Sequence, residues 1–211
     1  SSPSLSKDGN RIIAIVTNQD LTQSLEILSS SDGQVIKRID QNSFGQISHP
    51  IWIDPSHILY VGTRDERSEI VVHNIESGLK TSITAPTSDQ LTHPYHHNGS
   101  VYFSASYTGV NNIYKVSING GSVSKVTEVE VGAFQPSVSD DGRYLYYVEL
   151  ESNGYKAKST EIGNGTNVIA NVHIDKREMK SGHFDHPDAS ILKNIPDTEY
   201  EVKRFNKLTG L

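Results

Sequence analysis

The sequence predicts an all-β protein, a β-propeller built from four-stranded antiparallel blades. Three observations predict it. Hydrophobic residues are only 35% of the 211, yet charged residues are not in excess at 21%. That combination suits a core hidden in short alternating strands better than it suits a disordered chain. Ten Tyr and sixteen Gly accompany it, favouring pleated surfaces and tight turns respectively. The third observation is decisive: Pro3, Pro50, Pro94 and Pro136 stand 47, 44 and 42 residues apart, each ahead of a strand-like run. A period of about 40–50 residues is that of a propeller blade.

The elements recur in order within each copy. A short segment follows the proline: "SPSLS", "HPIWI", "HPYHH" and "QPSVS". A turn comes next, at Asp8-Gly9, Asp54-Pro55, Asn98-Gly99 and Asp141-Gly142. Asp and Asn bond the backbone that follows them, Gly supplies a positive φ, and Pro pre-sets φ. The second strand is strongly β: "RIIAIV", "HILYVG", "SVYFSA" and "RYLYYV". A third run, "SLEILSS", "EIVVHNI", "NIYKVSI" or "YKAKSTEI", follows a polar loop. "NQDLTQSLEIL" taken alone resembles a short helix, but its counterparts are rich in Val, Ile and Tyr, so the repeat makes it a strand. After a further turn each unit closes with "QVIKRI", "LKTSIT", "SVSKVT" or "TNVIAN". The predicted blades span about 1–41, 46–84, 90–127 and 133–171. A four-stranded unit cannot bury both faces alone, and stacking neighbours around an axis solves this. Residues 172–211 break the period and are predicted to be a C-terminal extension or linker, with one further strand near "EYEVKRF" as an alternative.

"PSLSKDGNRIIAIVTN", "PSVSDDGRYLYYVEL" and "NNIYKVSINGGSVSKVT" resemble the TolB-type propeller repeat over about residues 1–171. The fourth copy carries the first half of that pattern in Pro136, Ser139, Asp141 and Gly142. The third carries the second half in Ile113, Tyr114, Gly120, Gly121, Val126 and Thr127. The second copy departs from it, with "IDPSH" where Ser-x-Asp-Gly is expected. The resemblance implies a periplasmic or cell-envelope module of a larger bacterial protein that binds a protein or peptide, with a glycan as the alternative. Related repeats also form the gating propellers of prolyl-oligopeptidase-type serine peptidases, which is the second reading. The tail "TEYEVKRFNKLTGL" faintly resembles a linker into an outer-membrane barrel.

Several chemistries find no support. The net charge of −6 and the lack of a basic run argue against nucleic acid. Without cysteine there is no thiolate zinc site, cysteine nucleophile or disulfide. No G-x-S-x-G elbow or phosphate-binding glycine loop occurs, so the chain itself is read as non-catalytic and without a cofactor. No apolar run is long enough to span a membrane. The chain opens at "SSPSLSKDGN" without Met, which reads as an internal boundary or a processed terminus.

Two histidine groups raise the question of metal. His93, His96 and His97 lack the H-E-x-x-H spacing; in a regular strand His93 and His97 share a face and His96 points away. Two imidazoles do not complete a zinc site. His183, Asp185 and His186 in "GHFDHPD" are weak metal candidates, and the reading is that neither group is a metal site.

The family geometry implies that the first strand of each blade lines the central channel. The residue before each anchor proline is Ser2, His49, His93 and Gln135 in turn, so His49, His93 and Gln135 are expected on one channel rim. Trp52, the only tryptophan, is the aromatic anchor expected beside them; packing between blades is its alternative role. Four blades are the low end for closure. The chain is therefore expected to be an incomplete propeller, or to associate with a second copy through open blade edges.

Overall fold

The computed structural model describes residues 3–40 and 43–162. The closing strand expected at "TNVIAN", the tail, His183, Asp185, His186 and Ser2 lie outside the described residues.

Each repeat forms its own antiparallel sheet, with strands in sequence order. Blade 1 contains β1 (Ser4–Leu5), β2 (Arg11–Thr17), β3 (Gln23–Ser29) and β4 (Val35–Asp40). Blade 2 contains β5 (Gln46–Trp52), β6 (His57–Arg64), β7 (Arg67–Asn74) and β8 (Lys80–Ser82). Blade 3 contains β9 (Thr92–His97), β10 (Ser100–Ala105), β11 (Asn112–Ser117) and β12 (Ser124–Lys125). Blade 4 contains β13 (Gly132–Val138), β14 (Tyr144–Glu151) and β15 (Gly154–Glu161). The helix-like "NQDLTQSLEIL" holds a turn and a strand: Asn18–Thr22 close the turn, and β3 from Gln23 pairs with β2 from Thr17↔Gln23 to Arg11↔Ser29.

The turns explain why these sequences fold as hairpins. In blade 1 the Ser6 hydroxyl donates to Asp8 at 2.6 Å and accepts the Arg11 N–H at 2.9 Å. Blade 4 repeats this, with Ser139 donating to Asp141 at 2.6 Å and accepting the Tyr144 N–H at 2.9 Å. Blade 2 lacks the serine. There Asp54 alone accepts the N–H groups of Ser56 and His57, both at 2.8 Å. Blade 3 uses Asn98 (φ 44°) and Gly99 (φ 73°), the two successive positive φ values of a tight hairpin turn.

The closing "IT" and "VT" pairs have one job in two blades. Buried Thr84 accepts the Ile70 N–H, and buried Thr127 accepts the Ile113 N–H, each at 2.9 Å. The threonine hydroxyl thus satisfies a ladder donor where the outermost strand ends.

Blades pack face to face in succession. Ile13, Leu25 and Ile27 of blade 1 meet Ile47, Ile58, Tyr60 and Val71 of blade 2. Leu59, Val61 and Ile70 of blade 2 meet Val101, Phe103 and Tyr114 of blade 3. Tyr102 and Ile113 of blade 3 meet Ala133, Val138 and Leu145 of blade 4. The first strands also touch one another in order, β1 on β5, β5 on β9 and β9 on β13. Blade 4 leaves Tyr146 and Tyr155 48% and 69% exposed, and blade 1 leaves Leu5 58% exposed.

Candidate functional site

Three first strands carry the same backbone irregularity. The pairing register shifts between Ser48 and Ile51 in β5 and between Phe134 and Ser137 in β13. In β9 it shifts between Thr92 and Tyr95, opposite Ser104 and Tyr102. At each bulge the residue before the anchor proline is left-handed: His49 at φ 52°, His93 at 51° and Gln135 at 53°. Non-glycine residues seldom adopt this conformation, and a following proline narrows their choice further. Each instance costs on the order of 1–3 kcal/mol, and such strain clusters at functional sites. A bulge re-aims the side chain it carries.

The bulges bring two of the predicted site residues together. The rings of His49 and His93, from adjacent blades, meet edge to face with centroids 4.8 Å apart. Both are half-buried, and the Nδ1 atom of each is buried without a hydrogen-bond partner. Burial holds both pKa values below the ordinary 6.5, and the neighbouring His93 lowers that of His49 further. Gln135 holds the equivalent place in blade 4 and is exposed. The bulge also breaks the strand alternation expected between His93 and His97, because one additional residue is inserted within β9.

Trp52 is not part of that pair. It stands three residues beyond His49 at the turn end of β5, where its indole N–H donates to the Ser4 carbonyl at 3.2 Å. It packs against the core shared by blades 1 and 2. The Arg11 guanidinium lies 4.5 Å from its ring centre and also donates to the Pro55 carbonyl at 2.9 Å.

At this end of the first strands lies a cleft of about 790 Å³. Leu5, Trp52 and His96, each the second residue after an anchor proline, line it from three successive blades, together with Arg11, Tyr95 and His97. Its acids are held by their own turns: Asp8 by Ser6 and Asn10, Asp54 by Ser56 and His57. These hydrogen bonds keep the Asp8 carboxyl below the usual range. At Asp54 burial opposes the same effect, and the net shift is still downward. His96 accepts the Gly99 N–H through Nε2 at 3.3 Å, and His97 Nε2 meets the Asn98 amide at 3.0 Å. Each ring is thereby left with Nδ1 as its donor. The cleft brings the aromatic rings of Trp52 and Tyr95 together with the Arg11 guanidinium and the imidazoles of His96 and His97. The equivalence of Leu5, Trp52 and His96 is readable in the sequence from the proline spacing; their shared cleft is a product of blade stacking.

Among the described residues, no group of three or more His, Asp or Glu side chains is arranged to hold a metal ion, and no helix is long and apolar enough to cross a membrane.

No protein-family model matches the chain. An uncharacterized protein of Agrobacterium fabrum is 29% identical over 101 residues, which are 47% of this chain and 34% of that protein. A protein of Agrobacterium tumefaciens described as a TolB superimposes with a TM-score of 0.62 at 20% identity, over 75% of this chain and 60% of that one. TolB of Acinetobacter baumannii gives 0.59 at 19% identity, over 78% and 41%. A puromycin-hydrolyzing peptidase of Mycobacterium tuberculosis (TM-score 0.53, 15% identity, 70% and 27% covered) and an oligogalacturonate lyase in complex with manganese (0.56, 13%, 79% and 51%) are similar to a lesser degree. The chain has a TolB-type β-propeller fold. It spans about a third of the curated relative that it matches, and less than two thirds of each of these structures.

Proposed function

We propose that this chain is a non-catalytic binding module, the propeller part of a TolB-like protein of the bacterial periplasm or cell envelope, and that it receives a protein or peptide segment. The observation that carries the reading is the cleft at the turn end of the first strands. Three blades contribute the same repeat position to it, and aromatic surface faces donors whose neighbouring carboxylates are already engaged. An aromatic anchor in a desolvated recess is where binding energy concentrates. His49, His93 and Gln135 would form a second polar contact region, offset along the same strands. The open faces of blades 1 and 4 are proposed to support self-association, since apolar sheet surface of that kind favours a second copy.

The test uses the single tryptophan. Peptides selected against the chain by display should change Trp52 emission on binding. Trp52→Ala and His96→Ala should each weaken them by at least about tenfold, equivalent to about 1.4 kcal/mol. Selected peptides that bind both variants as tightly as the parent would refute the site. Hydrolysis of peptide or ester substrates by the chain alone would refute its non-catalytic character. The alternative reading is the gating propeller of a serine peptidase whose catalytic domain lies outside this chain; the similarity to the puromycin-hydrolyzing peptidase is its supporting observation.

A further inference from the structure

We infer that His49 and His93 form a two-imidazole site for a divalent transition-metal ion of the Zn²⁺, Ni²⁺ or Cu²⁺ class.

Four features converge on this pair. First, the chain holds three non-glycine residues at the same strained φ before proline in three successive blades, and the residue types there are His, His and Gln. Second, the two rings are 4.8 Å apart at 62°. Imidazoles sharing one ion at about 2.0–2.1 Å per bond, on neighbouring corners of its coordination shell, keep their centres roughly 4.5–5 Å apart. The rings therefore have the spacing of cis ligands before any ion arrives. Third, both Nδ1 atoms are buried and unpartnered. A buried polar atom left without a partner costs about 1–3 kcal/mol, and an ion bridging the pair would remove two such costs together. Fourth, burial favours neutral imidazole in both residues, the form that coordinates a metal.

The donor set also limits what the site can be. Imidazole suits zinc, copper and nickel better than calcium or magnesium, which prefer oxygen. No carboxylate and no third imidazole joins the pair among the described residues. Two imidazole nitrogens leave coordination positions open to water or to an incoming donor. Such a site is suited to capturing a ligand through the ion, and less to a closed structural role.

The test is metal binding by the whole chain. ZnCl₂ and NiCl₂ are titrated by calorimetry, and the electron paramagnetic resonance spectrum of stoichiometric Cu²⁺ is recorded. The expected result is one saturable site whose copper signal carries nitrogen coupling. His49→Asn and His93→Asn keep a side chain that tolerates positive φ; each should weaken binding by at least about tenfold while cooperative unfolding in EDTA is retained. His96→Asn, His97→Asn and His183→Asn should bind like the parent. Absence of saturable binding, or binding that survives loss of both His49 and His93, overturns the inference. So does binding that disappears with His96, His97 or His183.

Discussion

Acidification should destabilise the junction between blades 1 and 2 through His73. This residue on β7 is 2% exposed, and its ring meets Tyr60 edge to face at 6.2 Å. Its Nδ1 is buried without a partner. Burial, then the charges of Lys80 and Lys37, push its pKa from 6.5 down to about 4. The unfolded chain takes up a proton on His73 near pH 6.5, whereas the folded chain resists until about pH 4. Between those values the unfolded state binds more protons, so stability falls as the pH falls. The contribution is complete above pH 6.5 and gone below about 4. A drop of that size in pKa corresponds to about 3 kcal/mol, a large share of the roughly 5–15 kcal/mol that holds a typical domain together. Urea unfolding at pH 7, 5.5 and 4 measures it, with His73→Leu as the comparison. His49, His93, His96 and the carboxylates titrate in both proteins, so the difference between the two pH profiles isolates His73. The parent should lose about 3 kcal/mol more than the variant between pH 7 and pH 4. Profiles that run parallel would show that His73 does not remain neutral in the folded state.

Other perturbations test the packing directly. Thr127→Val leaves the buried Ile113 N–H without its acceptor and removes one of the two hydrogen bonds to Asn112 Oδ1, the other coming from the Val129 N–H; it should cost about 2 kcal/mol, read from the urea midpoint, and a change below about 0.5 kcal/mol would mean that water replaces the hydroxyl. Gly62→Ala would place a methyl 2.7 Å from the Phe44 ring, so a loss of about 1–3 kcal/mol is expected, and an unchanged midpoint would show that the ring moves aside freely. Tyr146→Glu together with Tyr155→Glu should shift sedimentation of the chain towards monomer if the blade 4 face docks a second copy; a parent that sediments as a stable monomer at all concentrations would count against that association.

The strands were legible because each is announced by local chemistry. The Ser6–Asp8 and Ser139–Asp141 pairs close their turns by the same hydrogen bonds, so the motif carries its structure with it. Asp54 shows how a departing copy still turns: one carboxylate takes over both backbone donors. The structure gives His49, His93 and Gln135 one shared φ, and the proline spacing shows which residues these are. Their left-handed conformation was not legible, because the sign of φ at a non-glycine residue depends on a register shift that only the neighbouring strand defines. The separation of Trp52 from the histidines was equally hidden. Proline spacing gives equivalence between blades, but which end of a strand a side chain serves depends on how the sheets stack.

The bulge in β5 also has an arithmetic consequence for the core. Ile47 and Ile51 are four residues apart, and in an unbroken strand an even count keeps two side chains on one face. Here Ile47 belongs to the core shared with blade 1, and Ile51 packs into the core shared with blade 3. Trp52, an odd count from Ile47, rejoins the blade 1 side. The extra residue at His49–Pro50 reverses the parity of the strand midway, so a single strand supplies both neighbouring cores. Removing one residue there would restore strict alternation, and the two halves of β5 could then satisfy only one of those cores at a time.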